Sequence, residues 1–241
     1  MSDLNIRRIS NEDATAFITT GWKILKGPHY VILLGAAVFV IGASAALSKI
    51  PYLGVLSSIP TVFLGIGHML IIRKIVAGQP VKFTDLFHAF ENQDWLQRLL
   101  PLAIAGVVLA LVQEGSNQMA NGGFLLSVLG PLFGILFLLL WIALTAYSSP
   151  LIIFKNKTFR ESIDLNVRVL GLNWLPILVY SVFLVGLLIV CAILLFLPVI
   201  FVALPLYGVS AYLSYAAMFE GLDVVALGAK IDAANAQKSQ T

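Results

Sequence analysis

The chain has 241 residues, of which 59% are hydrophobic and only 11% carry a charged side chain, and its formal net charge is +3. A soluble domain carries charge on about one residue in four, because an ordinary protein surface needs that charge for solubility. The composition therefore excludes a soluble globular protein and predicts an all-α, polytopic membrane helical bundle. The basic residues lie beside apolar segments, so the net charge favours anionic lipid headgroups, and not nucleic acid, as the partner.

Residues 1–27 are polar and charged, which predicts a cytoplasmic N-terminal tail and not a secretory signal peptide. Within this tail, Ser10-x-x-Asp13 is a capping-box pattern, and an apolar stripe runs from Ala14 to Leu25 at helical spacing. We therefore expect an amphipathic helix in the tail, lying at the membrane interface.

Six apolar segments follow, and each is predicted to be a transmembrane helix because about 20 apolar residues span a bilayer. They are residues 28–48, 53–73, 99–113, 125–147, 173–195 and 198–219, which makes 28–219 the membrane domain. The third is short, about 22 Å at 1.5 Å per residue, so we expect it to recruit flanking residues or to lie where the bilayer thins. The last two come from one charge-free run that we divide at Leu197-Pro198, because proline ends a helix.

Lys and Arg residues divide unevenly among the segments that connect these spans. Fourteen of the 15 fall in the N-terminal tail, the second and fourth loops and residues 220–241, whereas Lys49 alone falls in the alternate loops. Basic loops stay in the cytoplasm, so this count predicts that both termini are cytoplasmic and that 220–241 is a C-terminal tail. Without the third span this separation would be lost, so the count supports that span as well.

Two predicted cytoplasmic loops have the same organisation as the N-terminal tail. Residues 84–96 and 158–170 each carry an apolar stripe opposite a charged face, and Thr84 and Thr158 are candidate N-caps. Each amphipathic helix is followed by a Trp and then a Pro, and Trp favours the headgroup level. We interpret the pattern as a threefold repeat of an interfacial helix and a hairpin; the alternative is that any six-span protein has short basic loops. The predicted interfacial anchors are Trp22, Trp95 and Trp174.

A motif between the fourth and fifth spans resembles a known group of membrane proteins. Ser149-Pro150-Leu151-Ile152-Ile153-Phe154 is followed by Phe159-x-x-Ser162 and then by Asn173-Trp174. This order resembles uncharacterised bacterial six-span inner-membrane proteins related to the membrane domain of some glycerophosphodiester phosphodiesterases. Ile50-Pro51-Tyr52-Leu53-Gly54 and Phe83-x-Asp85-Leu86-Phe87 are similar to segments of those proteins too. The resemblance covers most of the chain and implies a bacterial cytoplasmic (inner) membrane. It implies no phosphodiesterase activity, which belongs to a separate soluble domain in those proteins.

Few side chains within the predicted spans could carry chemistry. His68 is the only residue of ionisable type well inside a span, which makes it a candidate functional polar residue in the membrane. The alternative is a neutral packing residue satisfied by one hydrogen bond across a helix pair. Gly130-x-x-x-Gly134 in the fourth span predicts a close approach of two helices.

Six basic residues next to the spans are candidate contacts for anionic lipid headgroups on the cytoplasmic side. They are Lys23, Lys26, Arg73, Lys74, Lys155 and Lys157. Asp85, His88 and Glu91 share one helical face, but such residues on an exposed helix are usually solvated. We predict no metal, no cofactor and no catalytic residue.

Three classes of function remain open at this level. The first is a non-enzymatic membrane module that organises lipid or protein partners through its cytoplasmic face. The second is an uncoupled transporter or lipid-handling channel, which proline-broken spans favour; a proton- or sodium-coupled carrier is disfavoured because no carboxylate lies inside a predicted span. The third is an enzyme, which no spacing of Ser, His or carboxylate supports. We favour the first.

Overall fold

The computed structural model describes residues 5–50, 54–194 and 197–238. These residues are almost entirely helical and contain no strand, which confirms the predicted all-α bundle. Six helical segments among them are long and apolar enough to span a membrane: Tyr30–Ser48, Gly54–Val76, Gln93–Ala120, Phe124–Phe154, Phe159–Ile193 and Val199–Glu220. The predicted boundaries at residues 53 and 195, and the Pro51-Tyr52-Leu53 part of the family resemblance, fall outside the described residues.

The helices follow one another through short connections. They are α1 (Asn11–Leu25), α2 (Tyr30–Ser48), α3 (Ser58–Val76), α4 (His88–Glu91), α5 (Gln93–Ala120), α6 (Phe124–Thr145), α7 (Ser148–Phe154), α8 (Phe159–Ile193), α9 (Leu204–Tyr215) and α10 (Val224–Lys238). Turns of 3₁₀-helix precede α3 and α4, at Gly54–Ser57 and Phe83–Phe87, and turns of π-helix flank α9, at Val199–Ala203 and Ala216–Glu220.

The chain forms two compact units. The first comprises Met1–Phe39, His68–Leu86 and Val169–Thr241, and the second comprises Val40–Gly67 and Phe87–Arg168. In the first unit α1 packs against α9 and α10. Helix α1 begins at the predicted capping box: the Ser10 Oγ accepts a hydrogen bond from the Asp13 N–H at 3.1 Å, and the Ser10 N–H donates to the Asp13 carboxylate at 2.8 Å. Its apolar face is buried, with the Phe17 ring edge-on to Tyr180.

Asn173 positions the segment that leads into α1. This residue interrupts α8 with φ −126° and ψ 23°, and its side chain is fully buried. Its Oδ1 accepts a hydrogen bond from the Ile9 N–H at 2.9 Å, and its Nδ2 donates to the Arg7 carbonyl at 3.3 Å. The asparagine of the Asn-Trp motif therefore has a structural role, because it satisfies backbone groups of a segment more than 160 residues away in the chain.

In the second unit, α5 and α6 approach closely at the Gly130-x-x-x-Gly134 motif, as predicted. The Ser116 Oγ donates to the Gly130 carbonyl at 2.5 Å, and the Gln113 Nε2 donates to the Gly134 carbonyl at 2.8 Å. Both glycines are buried against α5. Small residues let two helix backbones come near enough for these interhelical hydrogen bonds.

A buried polar network joins α7 to α8 in the second unit. The Tyr147 N–H donates to the Asn166 Oδ1 at 3.0 Å, and the Ser162 Oγ donates to the Ser148 Oγ at 3.0 Å. The Thr158 capping box is also present, since the Glu161 carboxylate accepts from the Thr158 N–H at 2.8 Å. Ser162, which belongs to the family-like motif, is thus a satisfied structural residue.

The third span recruits flanking residues on both sides, which is the first of the two outcomes expected for its short apolar segment. Instead of an apolar segment over 99–113, helix α5 runs for 28 residues from Gln93 to Ala120. That is about 42 Å of helix, enough to cross a bilayer without local thinning. Apolarity marks only the middle of this helix, because its polar ends continue the same backbone hydrogen bonding.

The segment over 84–96 is not the single helix that its apolar stripe predicted. It consists of the turn Phe83–Phe87, the short α4 and the beginning of α5. Asn92 is extended, with φ −99° and ψ 104°, and its side chain caps α5 by accepting from the Trp95 N–H at 3.2 Å. Thr84 lies inside the first turn and caps nothing there. The interfacial location of this segment and the threefold repeat stay predictions.

Residues 220–241 contain a helix that the sequence analysis missed. Helix α10 begins after Asp223, whose carboxylate accepts from the Ala226 N–H at 2.9 Å. Gly221, with φ +72°, ends the preceding π turn and redirects the chain. The predicted C-terminal tail therefore contains a helix that packs onto α1.

Candidate functional site

A basic cavity of about 630 Å³ lies within the first unit. Its walls come from the end of α1, the connection to α2, the end of α3 with the turn that follows, and the outer half of α10. The ionisable side chains that line it are three lysines, one histidine and one carboxylate: Lys23, Lys26, Lys230, His29 and Asp232. We call this space the basic cavity.

One of the three lysines holds the walls of the basic cavity together. The Lys23 Nζ donates to the Asp232 carboxylate at 2.6 Å and lies 3.4 Å from the Gly228 carbonyl oxygen, so it joins α1 to α10. The Lys26 Nζ lies 5.5 Å from the centroid of the Trp22 ring, a cation–π contact. In the described part of the chain, neither Lys26 nor Lys230 forms an ion pair.

The formal charge of the basic cavity is +2, because three lysines face one aspartate and the histidine counts as neutral. Two helices, α1 and α3, end at the cavity, and each C-terminus contributes at most about −0.5 of a charge. Part of that charge is offset, since the carbonyls of Ile24 and Ile75 already accept backbone hydrogen bonds from Gly27 and Gly78. At least about one positive charge remains, so the cavity favours an anion.

The basic cavity lies at the ends of two spans. Gly27 and Pro28 directly precede the span that begins at Tyr30, and Ala77 and Gly78 directly follow the span that ends at Val76. A multi-pass protein places residues at such positions beside the lipid headgroups. The arrangement can therefore bind the phosphate of a membrane lipid without burying an uncompensated charge in hydrocarbon.

Two of the six predicted headgroup contacts, Lys23 and Lys26, line the basic cavity. Arg73 and Lys74 are engaged elsewhere in the first unit: Arg73 lies 3.2 Å from the Glu220 carboxylate, and Lys74 lies 2.7 Å from that of Asp85. The remaining two, Lys155 and Lys157, are half-buried in the second unit. Contact of these side chains with lipid stays a prediction for all six.

Sequence reasoning missed Lys230 and Asp232. Both lie on α10, in the segment that was predicted to be a tail. The signal that could have found the helix is Asp223 placed three residues before Ala226, which is an N-cap pattern. Nothing in the sequence indicated that α10 folds back onto α1, because Lys23 and Asp232 are 209 residues apart.

The predicted tryptophan anchors have different surroundings. Trp22 is 38% exposed and Trp174 is 62% exposed, both in the first unit. Trp95 is half-buried in the second unit, where its ring contacts His88 and Phe154 with centroids 4.9 and 6.2 Å away. The first two geometries leave ring surface free for lipid, whereas Trp95 is partly committed to packing. Interfacial anchoring stays a prediction for all three.

His68 is a buried residue of the first unit and does not line the basic cavity. Its Nε2 has no hydrogen-bond partner among the described residues. Its ring packs against Gly208 of α9, where a Cβ atom would collide with the imidazole. The hydrogen bond across a helix pair that would explain a packing histidine is therefore not formed by this nitrogen.

Glu220 is a carboxylate at the end of the sixth span, just beyond the predicted boundary. It accepts hydrogen bonds from the Tyr212 and Tyr215 hydroxyls, at 3.4 Å each, and pairs with Arg73. Its charge is thus compensated within the first unit. Within the described ranges, no group of three or more His, Cys, Asp or Glu side chains could hold a metal ion.

Comparison of the whole chain with protein-family models, with curated proteins and with solved structures gives no match.

Proposed function

We propose that this multi-pass membrane protein is a non-enzymatic module that binds anionic phospholipid at its cytoplasmic face. The observation that carries the proposal is the basic cavity, where Lys26 and Lys230 have no ion-pair partner in the described chain at the level where two spans end. Near a membrane surface each Lys or Arg attracts anionic lipid by about 1 kcal/mol. The packing of α1 and α10 around the cavity makes it a formed site instead of a flexible basic tail.

We further propose that the protein lies in a bacterial inner membrane with both termini in the cytoplasm, and that it is related to the six-span proteins it resembles. The separation of basic residues supports this orientation. Reporter fusions after residues 118 and 241 test it. We expect the first fusion to be active only as a periplasmic reporter and the second only as a cytoplasmic one; a periplasmic signal at 241 would overturn the orientation.

Neutralising the two unpaired lysines is expected to remove bound anionic lipid. The variant Lys26→Gln/Lys230→Gln should retain about 30-fold less anionic phospholipid, which corresponds to about 2 kcal/mol for two surface lysines. Native mass spectrometry of protein purified in mild detergent, with equal amounts of anionic and zwitterionic lipid added back, measures the ratio. Lys23 is left intact because it joins α1 to α10.

The matched control is Lys49→Gln, which removes an exposed lysine of the second unit that is not among the six predicted headgroup contacts. It should leave the lipid ratio unchanged. An equal loss in the control, or no loss in the double variant, contradicts the proposal.

A liposome assay tests the alternative of uncoupled lipid handling. A module that only binds lipid does not move labelled lipid between leaflets. Transfer above the protein-free rate would therefore overturn the proposal in favour of lipid handling.

A further inference from the structure

Two grooves of the first unit adjoin the basic cavity. One, of about 440 Å³, is lined by Trp22, Leu25, Tyr30, Phe201 and Val202 together with Lys26. The other, of about 470 Å³, lies where Ile18 and Trp22 of α1 face Leu187 of α8 and Leu206 of α9. We call them the α2 groove and the α8 groove. Both volumes fall within the range of about 300–1,000 Å³ that is usual for bound small molecules.

Lys26 lines the basic cavity and both grooves. The α8 groove also shares Lys23 and Asp232 with the basic cavity, so its polar end is the ion pair that closes α10 onto α1. Each groove is therefore charged at the end it shares with the cavity and apolar along the rest of its walls. A diacyl phospholipid has the same distribution of charge, with one anionic phosphate at the point where its two hydrocarbon chains diverge.

One backbone carbonyl in the wall of the α2 groove is already satisfied by a side chain. Pro205 has no N–H to offer the carbonyl of Phe201, four residues earlier, and the Tyr30 hydroxyl donates to that carbonyl at 3.0 Å. The bond joins the beginning of α2 to the π turn before α9 and forms one wall of the groove. With this carbonyl satisfied, the groove suits a chain that offers no hydrogen bonds.

From this arrangement we infer that the first unit binds one diacyl anionic phospholipid, with its phosphate at Lys26 in the basic cavity and one acyl chain in each groove. The inference rests on the proposed function and adds the class of ligand. A soluble phosphate compound would use the cavity alone. A diacyl lipid would use the cavity and both grooves. We favour the lipid over a soluble phosphate compound because Lys26 lines all three spaces.

Val202 lines both grooves, so it is the position that tests them together. In Val202→Trp the indole fills groove volume, and retention of a diacyl anionic phospholipid should fall about tenfold, the loss expected from excluding two methylenes of chain. Binding of sn-glycerol 3-phosphate, a water-soluble headgroup probe, should not change, whereas Lys26→Gln/Lys230→Gln should lose it. The control is Val182→Trp, at a 62% exposed position of α8 that lines neither groove.

The outcomes separate the two proposals. If Val202→Trp retains lipid like the wild type while the lysine variant loses it, the chain assignment is wrong and the proposed function stands. If the lysine variant also retains lipid and the probe, both are wrong. A second measurement needs no variant: the wild type should retain the diacyl lipid about tenfold better than the single-chain lipid with the same headgroup. Equal retention overturns the two-groove inference even if Val202→Trp does not fold.

Discussion

Replacing Gly130 with leucine is expected to destabilise the second unit by about 3 kcal/mol or more. A Cβ atom at Gly130 would lie 2.8 Å from the Ser116 carbonyl oxygen and 2.9 Å from the Met119 Cβ. The oxygen belongs to helix backbone, so relief requires α5 and α6 to move apart. Overpacking of this kind costs about 1–3 kcal/mol and occasionally more. Separation would also lengthen the interhelical hydrogen bonds from Ser116 and Gln113, which in membranes contribute about 0.6 kcal/mol each.

The measurement is unfolding of the purified protein in mixed micelles, followed by circular dichroism as denaturing detergent is added. The matched control is Gly186→Leu in α8, where, beyond the adjacent residues and the local helix backbone, no described atom lies within 4 Å of the added Cβ. The control should unfold near the wild-type midpoint. A Gly130→Leu protein as stable as the control would show that the close approach of α5 and α6 contributes little.

Gly208→Ala is expected to destabilise the first unit by about 1–3 kcal/mol, the usual range for overpacking. The added Cβ would overlap the Cε1 of His68 and lie 3.1 Å from its Nδ1. His68 is only 8% exposed, so its ring has little room to move away. The same unfolding titration measures the loss.

The double variant His68→Ala/Gly208→Ala identifies the cause, because removing the ring also removes the collision. It should regain at least half of the stability lost in Gly208→Ala, as expected for two residues in direct contact. An additive double variant would show that the collision is not the origin of the loss. We also expect His68→Ala alone to retain anionic lipid, since His68 does not line the basic cavity. Loss of lipid in that variant would give His68 a functional role that its packing does not explain.

The features that local sequence predicts well are those set by neighbouring residues. The capping boxes at Ser10 and Thr158 are present because each needs only four consecutive residues in one conformation. The six spans are predictable because the hydrocarbon core of a membrane favours segments that are apolar and satisfy their own backbone hydrogen bonds. The division near Leu197-Pro198 follows from the missing N–H of proline.

The apolar pattern mispredicts a helix where a polar side chain can hydrogen-bond to the backbone and begin a new helix. The stripe over 84–96 fits a helix, yet Asn92 uses its side chain to cap α5, which breaks the segment in two. The apolar segment 99–113 located the third span but not its ends, because the helix continues through the polar residues on both sides.

Composition, apolar segments and caps by themselves determined that this protein is an all-α membrane bundle and which segments are apolar enough to span. They do so because lipid solvation and local hydrogen bonding act on each segment independently. Tertiary structure alone decided that Asn173 holds the segment before α1, that Gly208 packs on His68, and that α10 brings Lys230 and Asp232 to Lys23 and Lys26. These contacts join residues far apart in the chain, and their energies come from close packing and paired charges that exist only after the helices have met.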